Sequence, residues 1–142
     1  MDPTLAKTLF LVGTTIFCVL GVAHGFLTLR DLRTPRSFTP TDERVRRAMA
    51  EAPLRFAPQT TIWSAWLGFN LSHSLGLLVF GLLLGGVALH DFRFVAGNLF
   101  LQSISVSVAL VYALLAVRFW FWVPAVASAL GGVCFLVSAL SV

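Results

Sequence analysis

His73 and Asn70 sit one helical turn apart in the apolar run Thr61-Ile-Trp-Ser-Ala-Trp-Leu-Gly-Phe-Asn-Leu-Ser-His-Ser-Leu-Gly-Leu-Leu-Val-Phe-Gly. An imidazole exchanges a proton near neutral pH, and a carboxamide offers both a donor and an acceptor. If the run crosses a bilayer, both side chains lie near its midplane. Polar groups there face the protein interior or a cavity, and they mark function by default. At about 100° per residue, Trp63, Trp66, Asn70, His73 and Leu77 form one stripe. This stripe offers aromatic surface for an apolar body and two polar groups for a head, a combination suited to a lipid, a quinone or another small amphipathic molecule. His73 is also the candidate acid or base if the protein is an enzyme.

A later run carries a matching stripe of Asn98, Gln102, Ser105, Ala109 and Tyr112, which lipid tails cannot satisfy and which should face inward. Counting depth along the two runs puts His73 level with residues 105–107, and Asn70 and Trp66 nearer Tyr112. Gln102, Ser105 and Tyr112 would then line one small polar pocket with Trp63, Trp66, Asn70 and His73, with His24 at its cytoplasmic rim; the same side chains would serve equally as interhelical hydrogen bonds that fix register. His24 belongs to an earlier run, at a depth matching residues 65–66. Its expected offset from His73 is roughly 12 Å at 1.5 Å per residue, which argues against a haem held between the two histidines. Cys18 and Cys134 lack Cys-x-x-Cys spacing, and all six carboxylates are expected in loops or tails. No metal site, no cofactor and no intramembrane Ser–His–Asp set are therefore expected.

These residues need elements to hold them, and composition says which. The 142 residues are 58% hydrophobic and only 11% charged, with a mean hydropathy of +0.89. A water-soluble domain of this size lacks the polar surface to cover so much apolar side chain. Four runs, at about residues 5–29, 61–89, 94–117 and 120–140, each meet the ~20 residues needed to cross ~30 Å of hydrocarbon. Strand alternation is absent, which disfavours a barrel. The first run is too long and carries the wrong flanking charges for a cleaved signal peptide. The expected fold is all-α: one integral membrane four-helix bundle, with a short amphipathic helix in the loop at residues 30–60. In that loop Thr41 is the expected cap. Asp42 and Glu43 suit the helix dipole, and Glu43–Arg47 and Arg47–Glu51 are spaced to pair. Val45, Ala48, Met49 and Ala52 would lie on the membrane surface, or on a lid over a cavity.

Charge sets the expected orientation. Arg30, Arg33, Arg36, Arg44, Arg46, Arg47, Arg55 and Arg118 fall on one side, against Lys7 and Arg93 on the other. The positive-inside rule puts the long loop in the cytoplasm and both termini outside. The arginines would also attract anionic lipid. They lack interleaved aromatics and any recognised nucleic-acid module, so nucleic acid is not an expected partner. Glycine and serine repeats at Gly68, Ser72 and Gly76, at Gly21 and Gly25, and at Gly81 and Gly85 would admit close helix contacts, in the chain or in a homo-oligomer.

Two resemblances add to this. The string Thr60-Thr61-x-Trp63-x-x-Trp66-x-Gly68-Phe69-Asn70-x-Ser72-His73-Ser74-x-Gly76 resembles the core of a family of small four-helix bacterial membrane proteins. Ala48-Met49 and Arg118-Phe-Trp-Phe-Trp-Val-Pro124 fit the same pattern. This implies the fold and a bacterial inner membrane, but no substrate. Glu43-Arg44-Val45-x-Arg47-Ala48 is similar to a segment of the membrane-associated eicosanoid and glutathione metabolism family, whose Asn and Glu positions fall at Glu51 and Leu54 here. That likeness implies a trimeric, glutathione-dependent transferase, with Arg44, Arg47, Arg118 and Tyr112 as the anion-binding and thiolate-stabilising candidates. Three readings stand side by side: a binder of a small amphipathic ligand, a glutathione-dependent membrane enzyme, and a structural or assembly protein without a ligand.

Overall fold

A computed structural model describes residues 3–142. The elements run α1 (Pro3–Arg33), α2 (Glu43–Glu51), β1 (Pro53–Leu54), β2 (Ala57–Thr61), α3 (Ile62–His90), α4 (Phe92–Ala96), α5 (Leu99–Phe119) and α6 (Trp122–Ala139). The fold class is all-α, as expected. Helices α1, α3, α5 and α6, of 31, 29, 21 and 18 residues, are long and apolar enough to span a bilayer, so the chain is an integral membrane protein. Their apolar side chains go all round rather than on one stripe, as in helices solvated by lipid. At 1.5 Å per residue α1 is about 46 Å long and overruns the hydrocarbon at one end or both.

The termini of the elements show local chemistry that hydropathy does not. The cap of α2 is Asp42 rather than Thr41, its carboxylate accepting the Arg44 N–H at 2.8 Å. Asp is the better cap, because its charge also meets the positive end of the helix. Glu43 pairs with Arg46 one turn on, in place of the expected Arg47 pairs. That guanidinium holds the Glu43 carboxyl below the usual carboxylate range. After α2 the chain forms a hairpin that was not expected. Pro53 pairs with Thr61 and Leu54 with Ala57, and Arg55 and Phe56 make the turn. The Ile62 N–H donates to the Ala52 carbonyl at 2.9 Å and closes the hairpin against α3. The Thr61 hydroxyl accepts the Ser64 N–H at 3.2 Å, which gives α3 its starting cap.

The third span begins later than hydropathy suggests. Asp91 caps α4 through the Phe94 N–H at 3.2 Å, and Asn98 caps α5 through the Leu101 N–H at 3.1 Å. Two capping residues seven apart split one apolar run into a single turn and a span.

The helices pack into two compact units. One comprises residues up to Leu20 together with Leu77–Val142; the other is Gly21–Gly76. The core of the first is aromatic. Phe10, Phe17 and Phe135 are buried, with ring centroids 5.1 Å apart for Phe10–Phe135 and 6.1 Å for Phe17–Phe135. Phe80 meets Phe17 edge-on at 5.0 Å. Gly13 and Gly131 make room for these rings, since a Cβ at Gly13 would come within 2.7 Å of Phe135, and one at Gly131 within 2.9 Å of Phe17. Gly81 presses on α1, where a Cβ would lie 2.6 Å from Cys18 Sγ and 2.7 Å from the Thr14 carbonyl oxygen. Ser138 ties α6 to α1 by donating to the Ala6 carbonyl at 2.7 Å. In the second unit Gly25 faces Ser74, so of the expected small-residue contacts Gly25, Gly81 and Gly85 have a counterpart. The Gly68–Ser72–Gly76 stripe does not: nothing lies within 4 Å of a Cβ at Gly68, and Ser72 and Gly76 are exposed.

Candidate ligand-binding site

The second unit gathers polar and aromatic side chains around Asn70. This residue is fully buried on α3. Its Nδ2 donates to the Trp66 carbonyl at 2.7 Å, and its Oδ1 faces His24 Nε2 at 2.9 Å. The carbonyl can only accept, so the amide orientation is fixed and His24 Nε2 is the donor. The neutral His24 ring is therefore the Nε2–H tautomer.

His73 lies beside this pair. Its ring centroid is 5.1 Å from that of His24, at 69°. The expected 12 Å offset is overturned. Helix α1 continues four residues past the anticipated end, to Arg33, so His24 lies about 6 Å deeper than a loop starting at Arg30 would put it. The backbones also come close at this level, Gly25 meeting Ser74. The depth argument against a group held by both histidines falls with the offset. Among the described residues, no three or more His, Cys, Asp or Glu side chains cluster as a metal site would need.

A loop straps over the pair, and Phe38 is its clasp. The Phe38 ring stacks on His24 with centroids 4.5 Å apart at 29°. Its carbonyl accepts the Trp66 indole Nε1–H at 2.8 Å, and its own N–H reaches Asp31 Oδ2 at 2.7 Å. Asp31 also accepts the N–H groups of Arg36 at 3.1 Å and Ser37 at 2.9 Å, and the Thr39 hydroxyl at 3.4 Å. Successive N–H groups curled around an anion form a nest, and here the anion is the chain's own carboxylate. Asp31 was expected in a loop; it is instead in the last turn of α1 and only 1% exposed. Arg30 Nη2 donates to the Ser37 hydroxyl at 2.7 Å and braces the same loop.

Outside this strap lies an open recess of about 350 Å³, lined by Ser37, Phe38, Thr39, Pro40, Met49 and Trp66. Met49 comes from α2, so the amphipathic helix forms one wall. The walls combine two aromatic rings and a thioether with two hydroxyl residues. The backbone N–H groups of residues 36–38 are already taken by Asp31, so the recess lacks the donor cradle that a phosphate would use.

The other expected site residues are placed as follows. Trp63 is half-buried and outside the recess lining. Gln102, Ser105 and Tyr112 belong to the first unit. Gln102 Nε2 donates to the Ala96 carbonyl at 2.5 Å, capping α4. Ser105 is buried and returns its hydroxyl to the Leu101 carbonyl at 2.6 Å. Tyr112 meets Phe17 at 5.9 Å as part of the aromatic core. Arg44 and Arg47 are exposed on α2, and Arg118 lies over the Phe119 ring at 5.0 Å.

Sequence reasoning missed Phe38 and Asp31. A signal for Asp31 was present: an acid in the last turn of a helix opposes the dipole, so it needs a compensating partner. No protein-family model, curated protein or solved structure matches the chain.

Proposed function

We propose that the protein binds a small amphipathic molecule of the lipid or quinone type, with its apolar part against Trp66, Phe38 and Met49. The observation that carries this reading is the sharing of Phe38 and Trp66 by two features. Both line the recess, while Phe38 stacks on His24 and Trp66 hydrogen-bonds Asn70. A ligand that moves Phe38 thereby gains access to the His24 imidazole, which the Asn70 amide orients. The filled Asp31 nest favours a neutral polar head, such as a carbonyl or hydroxyl, over a phosphate. The loop lies on the cytoplasmic side of a bacterial inner membrane in this reading, supported by the arginine bias and by the likeness of the Thr60–Gly76 string.

A purely structural role is the second reading, because Asn70 spends both ends of its amide on protein partners. Native mass spectrometry of the gently solubilised protein separates the two. The binding reading expects a small-molecule adduct on the wild type, lost in Trp66→Ala while the protein stays folded. An empty wild type would overturn it. A mass shift that appears only with added glutathione would turn attention to Arg44, Arg47, Arg118 and Tyr112 and to the transferase reading.

A further inference from the structure

Phe56 is the most exposed of the large apolar side chains, at 87%. It is not in a span, so lipid tails do not account for it. It occupies the turn of the β1–β2 hairpin beside Arg55, which is also exposed. The one ion pair among the described residues is Arg46–Glu43, so Arg55 is not neutralised in this way. An aromatic ring next to an uncompensated cation is the pairing found where protein meets the headgroup layer.

The hairpin is also tied to the membrane boundary. Strand β2 ends at Thr61 and α3 begins at Ile62, with the Ile62 N–H bonded to Ala52. The tip is therefore at most about 20 Å along the chain from the start of a span, within reach of headgroups flanking the ~30 Å hydrocarbon core. Nearby charge favours an anionic surface. Residues 34–60 hold Arg36, Arg44, Arg46, Arg47 and Arg55 against Asp42, Glu43 and Glu51. Two of those acids are engaged, Asp42 as a cap and Glu43 with Arg46. Pairing with another protein's strand is disfavoured, since Pro53 and Pro58 remove N–H donors from the two strands.

We propose that the Arg55–Phe56 tip seats in the headgroup layer of an anionic membrane, with Phe56 inserted and Arg55 against lipid phosphate. The test places an environment-sensitive fluorophore at Phe56→Cys, with Cys18 and Cys134 replaced by Ala. The protein is reconstituted in nanodiscs of phosphatidylcholine alone or with about a third phosphatidylglycerol, the anionic component that attracts basic segments. Quenching by aqueous iodide should be at least about twofold weaker in the anionic discs, and salt should erase the difference. Adding Arg55→Gln should shrink it, while a label at Gln59→Cys should stay accessible in both. Equal quenching at position 56 in the two bilayers, strong or weak, overturns the proposal. Strong quenching in both would mean that the tip stands in water, as a protein-docking point would.

Discussion

Asn70 illustrates how much one carboxamide can fix. It sets the tautomer of His24, occupies a helix carbonyl at Trp66 and lies behind the recess. Removing it leaves the half-buried His24 N–H without this acceptor, a loss of about 1 kcal/mol. Asn70→Ala should lower the thermal unfolding midpoint in detergent, and Asn70→Gln should not rescue it, because its longer arm cannot meet both partners. Asp31 acts on a smaller region. Asp31→Asn replaces one of two accepting oxygens by a donor facing N–H groups, so the strap should loosen locally. Hydrogen exchange at the Ser37 and Phe38 amides should speed up by at least about tenfold, a change of roughly 1.4 kcal/mol in local opening, while the spans keep their protection. Histidine and asparagine stood out in the sequence because their types are rare in apolar runs. Their contact did not, because depth counting depends on where α1 ends, and Arg30 and Arg33 look like loop residues although they suit the negative end of a helix.

At the scale of elements, glycine positions that look alike in sequence behave differently. Gly81 is pressed against backbone and side chain of α1, whereas Gly68 faces open space. Gly81→Ala should therefore destabilise by about 1–3 kcal/mol through overpacking. Gly68→Ala should be neutral or stabilising by up to about 1 kcal/mol through helix propensity. Thermal unfolding of the two variants side by side checks both signs. The spans were legible because a long apolar run has few alternatives to a membrane helix. The hairpin was not, because one strand is only two residues long and two prolines obscure the pattern. The separate α4 was hidden for another reason: Asp91 reads as a turn residue and Asn98 as the first member of an inward-facing stripe, and their capping role emerges only when the backbone N–H groups are traced.

At the scale of the whole molecule, the proposed orientation, with the long loop in the cytoplasm and both termini outside, is open to a direct test. Fusion of alkaline phosphatase to the C-terminus should therefore be active in bacteria, and a green fluorescent protein fusion at the same point dark. The opposite result would invert the side on which the recess opens. The two compact units differ in what holds them. Residues up to Leu20 with Leu77–Val142 rely on interlocked phenylalanines and small residues. Gly21–Gly76 relies on directed hydrogen bonds to Asp31, Asn70 and Phe38. Apolar packing tolerates volume-conserving exchange, but directed bonds do not.

The strap has one more consequence, for length. Phe38 follows Asp31 by seven residues, and that spacing lets one amide reach the carboxylate while the ring covers His24. Inserting or deleting a single residue between them would move a different side chain onto the imidazole and a different carbonyl under the Trp66 indole. The stretch from Asp31 to Phe38 thus acts as a ruler cut to one length. Variants of this chain that change size should do so elsewhere.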